Sequence, residues 1–214
     1  MNKTIYKVGF WAGITAFTAA VGFNIVQILQ LFRVFNYPLD EILIYGFSMC
    51  IVVPFIFEML ALHYAVSTEK KFWSHAALIF TVIYAVFVTQ NYVVQLATVI
   101  PMTLAGNVEK IEILRQTPHS LFWNYDAIGY ISMGLATLVA VPIFEKNGFQ
   151  KWVRYSFLVH GILTTPLIAF VYFYPNFSEK ILLIGIPWII TAPLAMLMLA
   201  ILFKKKYDFN ENFD

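Results

Sequence analysis

The chain has 214 residues, of which 60% are hydrophobic and only 12% charged, with a net charge of +2 and a mean hydropathy of +0.74. A water-soluble domain carries about 25% charged residues, so this composition excludes an ordinary soluble globular protein. The small, dispersed positive charge gives no footing for a nucleic-acid partner.

A helix crosses about 30 Å of hydrocarbon with about 20 apolar residues. Six stretches reach that length, at 8–32, 43–66, 75–104, 120–144, 152–174 and 181–203. The expected fold class is therefore an all-α integral membrane protein, a bundle of about six transmembrane helices in one polytopic domain over 1–214. All connections are short, leaving no room for a second domain.

The first stretch follows a short segment with Lys3 and Lys7. It is longer than the roughly 7–15 residues of a signal-peptide core, and it is read as a retained span. Gly9, Ala12, Gly13, Ala16 and Ala20 give it a small-residue face. Such a face lets helix backbones approach closely, either within the bundle or against another membrane subunit. Further along, Asn24, Gln27 and Gln30 recur every third residue and lie nearly on one side.

The second stretch contains Cys50, Pro54 and Glu58, with His63 and Tyr64 beyond. Cys50 is the single cysteine, so no intramolecular disulfide forms, and it is expected to pack as a small apolar residue. At about 1.5 Å per residue, Glu58 lies roughly 12 Å from the inner end, close to the midplane. The third stretch has Gln90, Asn91 and Gln95, then Pro101, which is expected to bend or end it. Between 105 and 119, charged residues alternate with Val108, Ile111 and Leu114 in a pattern that suits a short interfacial helix. The fourth stretch brings Asn124, Asp126 and Tyr130, with Asp126 about 9 Å below the outer end. In the fifth, His160 reaches a depth similar to that of Glu58. Trp123, Tyr125 and Tyr92 suit pocket walls or interfacial anchors. A faint repeat links Ile42-Leu43-x-x-Gly46 with Pro54 to Ile181-Leu182-x-x-Gly185 with Pro193, and Gly134 with Pro142 shares the glycine–proline spacing.

Orientation follows from Lys and Arg alone. Ten of them (Lys3, Lys7, Lys70, Lys71, Lys146, Lys151, Arg154 and Lys204 to Lys206) fall on one side, against four on the other. Both termini are expected in the cytoplasm, and the location is expected to be a cell membrane, the bacterial cytoplasmic one.

Ionisable groups inside a span count as functional candidates by default. Glu58 paired with His160 suits proton coupling or acid–base catalysis. Asp126, Asn124, Asn91, Gln95, Asn24, Gln27 and Tyr130 are expected to line an outward-facing polar pocket, built by the first, third and fourth spans, for a polar uncharged or cationic ligand. The leading expectation is thus a small-molecule binding or transport-related protein. The alternatives are an intramembrane enzyme acting on a lipid or isoprenoid-like substrate through a carboxyl general acid, or an accessory membrane subunit. Expected partners are the lipid bilayer, a small polar or amphipathic ligand, and a helix–helix partner or a second copy.

Inventory removes other chemistries. No Lys lies within a span to carry a retinal Schiff base, and no Walker or dinucleotide glycine motif or Gly-x-Ser-x-Gly is present. The four histidines form no H-E-x-x-H, and His63 and His160 lie at different depths for a shared haem. No metal and no cofactor are expected.

Overall fold

Backbone amides in hydrocarbon have only each other as partners, and each apolar stretch folds accordingly as a helix. The computed structural model describes residues 3–211, is 86% helical and contains no strand among the described residues. The six long apolar helices are Lys3–Leu31, Leu39–Ala65, Thr68–Leu104, Leu121–Ile143, Gln150–Phe173 and Leu183–Asp208. They are the first to sixth spans below. The first and third begin five to seven residues earlier than hydropathy alone places them, because helical hydrogen bonding continues past the apolar run.

Each span packs on the next, and the sixth returns to pack on the first. Short connections force this antiparallel neighbour order, and the closing contact makes a ring. Inside it, Phe55, Met59, Tyr84, Met133, Phe157, Met196 and Leu199 are buried. Outside, Val53, Phe57, Ile79, Val86, Ile162, Phe170 and Ile190 are exposed. A soluble protein does not expose so extensive an apolar surface; a lipid-facing belt does. Cys50 belongs to this outer surface, contrary to the expectation of a packed residue. The buried face of its helix runs through Ser48, Ile51, Val52 and Phe55 instead.

The small-residue face of the first span turns inward. A Cβ at Gly9 would stand 2.6 Å from the Phe203 ring, and one at Gly13 would stand 2.3 Å from Glu58 Oε1 and 2.8 Å from Ala200 Cβ. Ala16 and Ala20 are fully buried. This face therefore packs against the second and sixth spans.

Prolines shape three of the helices differently. Pro54 and Pro193 sit within theirs, whereas Pro142 closes the fourth span in a 3-10 turn, so at its proline the fourth-span copy of the repeat departs from the other two. Pro101 does not end the third span, which continues to Leu104. It follows a π-helical turn, Gln95–Val99, and Pro166 follows a second, His160–Thr164. The segment after the third span forms 3-10 turns over Val108–Leu114 rather than an α-helix, anchored by the buried Ile111.

Candidate functional site

Three polar assemblies occupy the bundle. The first surrounds Asp126. Ser120 caps the fourth span by accepting from the Trp123 amide at 3.2 Å, satisfying a free helix N-terminal donor. Two turns on, Asp126 Oδ1 accepts from Asn91 Nδ2 at 3.1 Å, and Oδ2 accepts from the Tyr172 hydroxyl. Asn91 Nδ2 also donates to Gln116 Oε1 at 2.9 Å. Gln95 Nε2 donates to the Leu114 carbonyl at 2.8 Å, and its Oε1 accepts from the Gln116 amide at 3.2 Å. The amides of the third span thus staple the 3-10 segment over the carboxylate. Tyr92 and Tyr130 join hydroxyls at 2.8 Å beside them.

The amides of the first span do not join this group, because that helix packs against the second and sixth spans. Asn24 Nδ2 donates to the Ile189 carbonyl at 2.7 Å. Ile189 stands four residues before Pro193, and proline has no N–H to offer that carbonyl. Asn24 repairs the gap. Gln30 Nε2 donates to Asp40 Oδ2 at 2.8 Å. Gln90 turns outward and Asn124 is half-buried.

Gln27 and Gln30 border the second assembly, a cleft of about 200 Å³ among the first, fourth, fifth and sixth spans. Its walls are chiefly Phe23, Tyr130, Ile168, Tyr172 and Trp188. Trp188 meets Tyr130 and Phe23 edge-on, with ring centroids 5.0 and 5.4 Å away. At the rim, Ile28, Leu31, Leu183 and Ile186 are exposed and continuous with the lipid-facing belt. Trp188 Nε1 is a buried donor without an acceptor among the described residues, and such a group normally has one. Tyr172 connects the two assemblies, since its ring lines the cleft and its hydroxyl donates to Asp126.

Glu58 and His160 form the third assembly. Both border one narrow gap among the second, fourth, fifth and sixth spans, with no room for a water molecule. His160 Nδ1 lies 2.9 Å from Thr191 Oγ1 and 3.1 Å from Thr164 Oγ1. Those hydroxyls spend their hydrogens elsewhere: Thr191 donates to the Pro187 carbonyl at 2.8 Å, and Thr164 donates to the His160 carbonyl. With those donations made, the hydroxyls accept from the imidazole, an arrangement that assigns the ring hydrogen to Nδ1 and the lone pair to Nε2. Nε2 and both Glu58 oxygens are buried without partners. An isolated ionised carboxylate is far costlier there than a neutral acid. Glu58 and His160 therefore face one gap with their polar atoms unused, and no hydrogen bond joins them.

Sequence reasoning passes over Tyr172, Gln116, Trp188, Thr164 and Thr191. The Thr164 partnership has a local signal, since it lies one turn from His160. The others depend on which helices meet. Among the described residues, no three His, Cys, Asp or Glu side chains gather as metal ligands. Comparison with protein-family models, curated proteins and solved structures gives no match.

Proposed function

We propose that this multi-pass membrane protein binds or carries a small amphipathic molecule that enters the cleft from the outer half of the bilayer, with both termini in the cytoplasm. The observation that carries this reading is the cleft itself, whose walls are aromatic, whose rim is apolar and open to the lipid-facing belt, and which the Gln27 and Gln30 amides border. Its Trp188 N–H lacks an acceptor, and its Tyr172 is held by Asp126. Apolar walls with a few oriented polar groups are what a small-molecule site requires. Gln27, Tyr130 and Trp188 contact the ligand. Asp126 acts through Tyr172, while Asn91 and Gln95 hold Asp126 and the segment above it, and Asn24 holds the wall formed by the sixth span. Asn124 stays at the margin. The ten-to-four bias of basic residues supports the orientation.

A second reading rests on Glu58 and His160. An acid and a base about one closed gap suit proton coupling to carriage.

Gly185 lines the cleft and an added Cβ there meets nothing within 4 Å, so Gly185→Leu adds bulk beside the cleft with no steric bar at its Cβ. The test measures thermal unfolding of the purified protein with a monoacylglycerol, an alkyltrimethylammonium and a lysophosphatidylcholine of equal chain length. The uncharged or the cationic probe is expected to raise the unfolding temperature of the wild type and not of Gly185→Leu. Equal shifts in both proteins overturn the cleft as the site. Orientation is read separately in a Cys50→Ala background, where Lys110→Cys should react with an impermeant maleimide on intact cells and Lys205→Cys should not.

A further inference from the structure

A separate cavity of about 340 Å³ opens at the lysine-rich end, bordered by the inner ends of the second, fourth and sixth spans and the starts of the third and fifth. Leu62, Phe144, Leu202 and Phe203 form its apolar walls, and Lys70, Gln150 and Lys206 bring polar groups to it.

The charge there is unbalanced. Lys70 Nζ donates to the Ile143 carbonyl at 2.7 Å and pairs with Glu145. Arg154 Nη1 donates to the Val141 and Phe144 carbonyls at 2.9 and 3.1 Å. The negative C-terminal end of the fourth span is thereby covered by two cations and does not repel an anion at the cavity. The three consecutive lysines of the sixth span then divide. Lys204 pairs with Asp208 at 2.7 Å, and Lys205 lies over the Phe149 ring at 5.2 Å. Lys206 is half-buried against the cavity and has no carboxylate partner among the described residues. Gln150 Oε1 accepts from the Glu145 amide at 3.2 Å, which leaves the Nε2 hydrogens for a ligand.

We propose that this cavity is a phosphate-binding site, in which Lys206, seconded by Lys70 and the Gln150 amide, holds a phosphate ester whose apolar portion lies against Leu62, Leu202 and Phe203. Basic pockets between spans on the positively charged side of a membrane protein suit phosphate head groups. The apolar walls favour a lipid-borne phosphate over the free ion.

Native mass spectrometry of the intact protein, with phosphatidylglycerol and phosphatidylcholine of identical chains, tests it. Phosphatidylglycerol should be retained preferentially. Lys206→Gln should weaken that retention about fivefold, the worth of one lysine near an anionic surface, while Lys206→Arg restores it and Lys204→Gln leaves it unchanged. Inorganic phosphate is the second arm. If it alone protects the wild type against thermal unfolding, and not Lys206→Gln, the site takes the free anion; if only phosphatidylglycerol protects, it takes the head group. Equal retention of the two lipids together with no protection by phosphate, or phosphatidylglycerol binding unaltered in a folded Lys206→Gln protein, overturns the proposal.

Discussion

Gln95 and His160 hold equivalent positions in two different helices: each opens a π-helical turn, and each stands six residues before a proline, Pro101 or Pro166. A proline ring clashes with the carbonyl four residues earlier, and in both spans the wider turn accommodates that carbonyl. A π-turn amounts to one inserted residue and recurs at functional sites. Here the two turns carry a staple of the Asp126 network and the base opposite Glu58. Deleting Leu163, a lipid-facing residue of the second turn, should convert it to α-helix while keeping the register on both sides. The deleted protein is expected to fold and to lose the His160–Thr191 contact. Deleting the equally lipid-facing Val82 from the third span should instead abolish folding, because everything beyond it rotates by about 100°. Expression and thermal unfolding of the two deletions check this; equal damage from both argues against the inserted-residue account.

That rotation also explains how much of the site was legible. Span number and approximate limits follow from hydropathy, because lipid tolerates no other pattern. Glu58, Asp126 and His160 stand out because ionisable groups are costly in hydrocarbon. Their grouping was not readable. The expected pocket assumed that the first, third and fourth spans meet, whereas the first span packs on the second and sixth. Asn24 and Gln30, read as one face with Gln27, bond to different spans, the sixth and the second, while Gln27 and Gln30 both border the cleft. One pairing was within reach, since Pro193 leaves the Ile189 carbonyl unserved and an amide at matching depth was needed.

Asp126 gives the second prediction. Asp126→Ala removes the acceptor of the Tyr172 hydroxyl and one of two acceptors of Asn91 Nδ2. A buried donor left unpaired costs about 1–3 kcal/mol. Asp126→Asn retains one acceptor oxygen and should cost less than Asp126→Ala. Tyr172→Phe removes the donor itself, so adding it to Asp126→Ala should cost little more than Asp126→Ala alone. Additive losses in thermal or chemical unfolding would separate the two residues energetically and break the link between cleft and carboxylate.

The Lys70–Glu145 pair supplies a pH dependence at the lysine-rich end. The Lys70 ammonium, hydrogen-bonded to Glu145 and attracting it, holds that carboxyl below its ordinary value of 4.5. A depressed carboxyl contributes stability at and above its ordinary value and loses it as pH falls through the folded one. The pair is thus intact at neutral pH and opens only in acid. Both groups are partly exposed, so the energetic effect is small, and the titration itself is the observable. A carbon-detected NMR titration should place the Glu145 midpoint below 4.5, and Lys70→Gln should move it upward. An unmoved midpoint would mean that Lys70 is not the cause.

Gly13 and Glu58 provide the last test, because one makes room for the other. A Cβ at Gly13 would come within 2.3 Å of Glu58 Oε1 and 2.8 Å of Ala200 Cβ, closer than packed atoms tolerate. Gly13→Ala should therefore destabilise the bundle by about 1–3 kcal/mol, the usual cost of overpacking a filled interior. Glu58→Ala removes the first clash and leaves the Ala200 contact. The double variant should consequently recover part of the Gly13→Ala loss, giving a coupling of about 0.5–3 kcal/mol between contacting residues. Glu58→Gln keeps the side-chain volume and should give no such recovery. Measuring the three backgrounds by reversible unfolding separates steric from ionic roles. Recovery by glutamine as well as alanine would show that the charge or proton of Glu58, rather than its bulk, is what the first span accommodates.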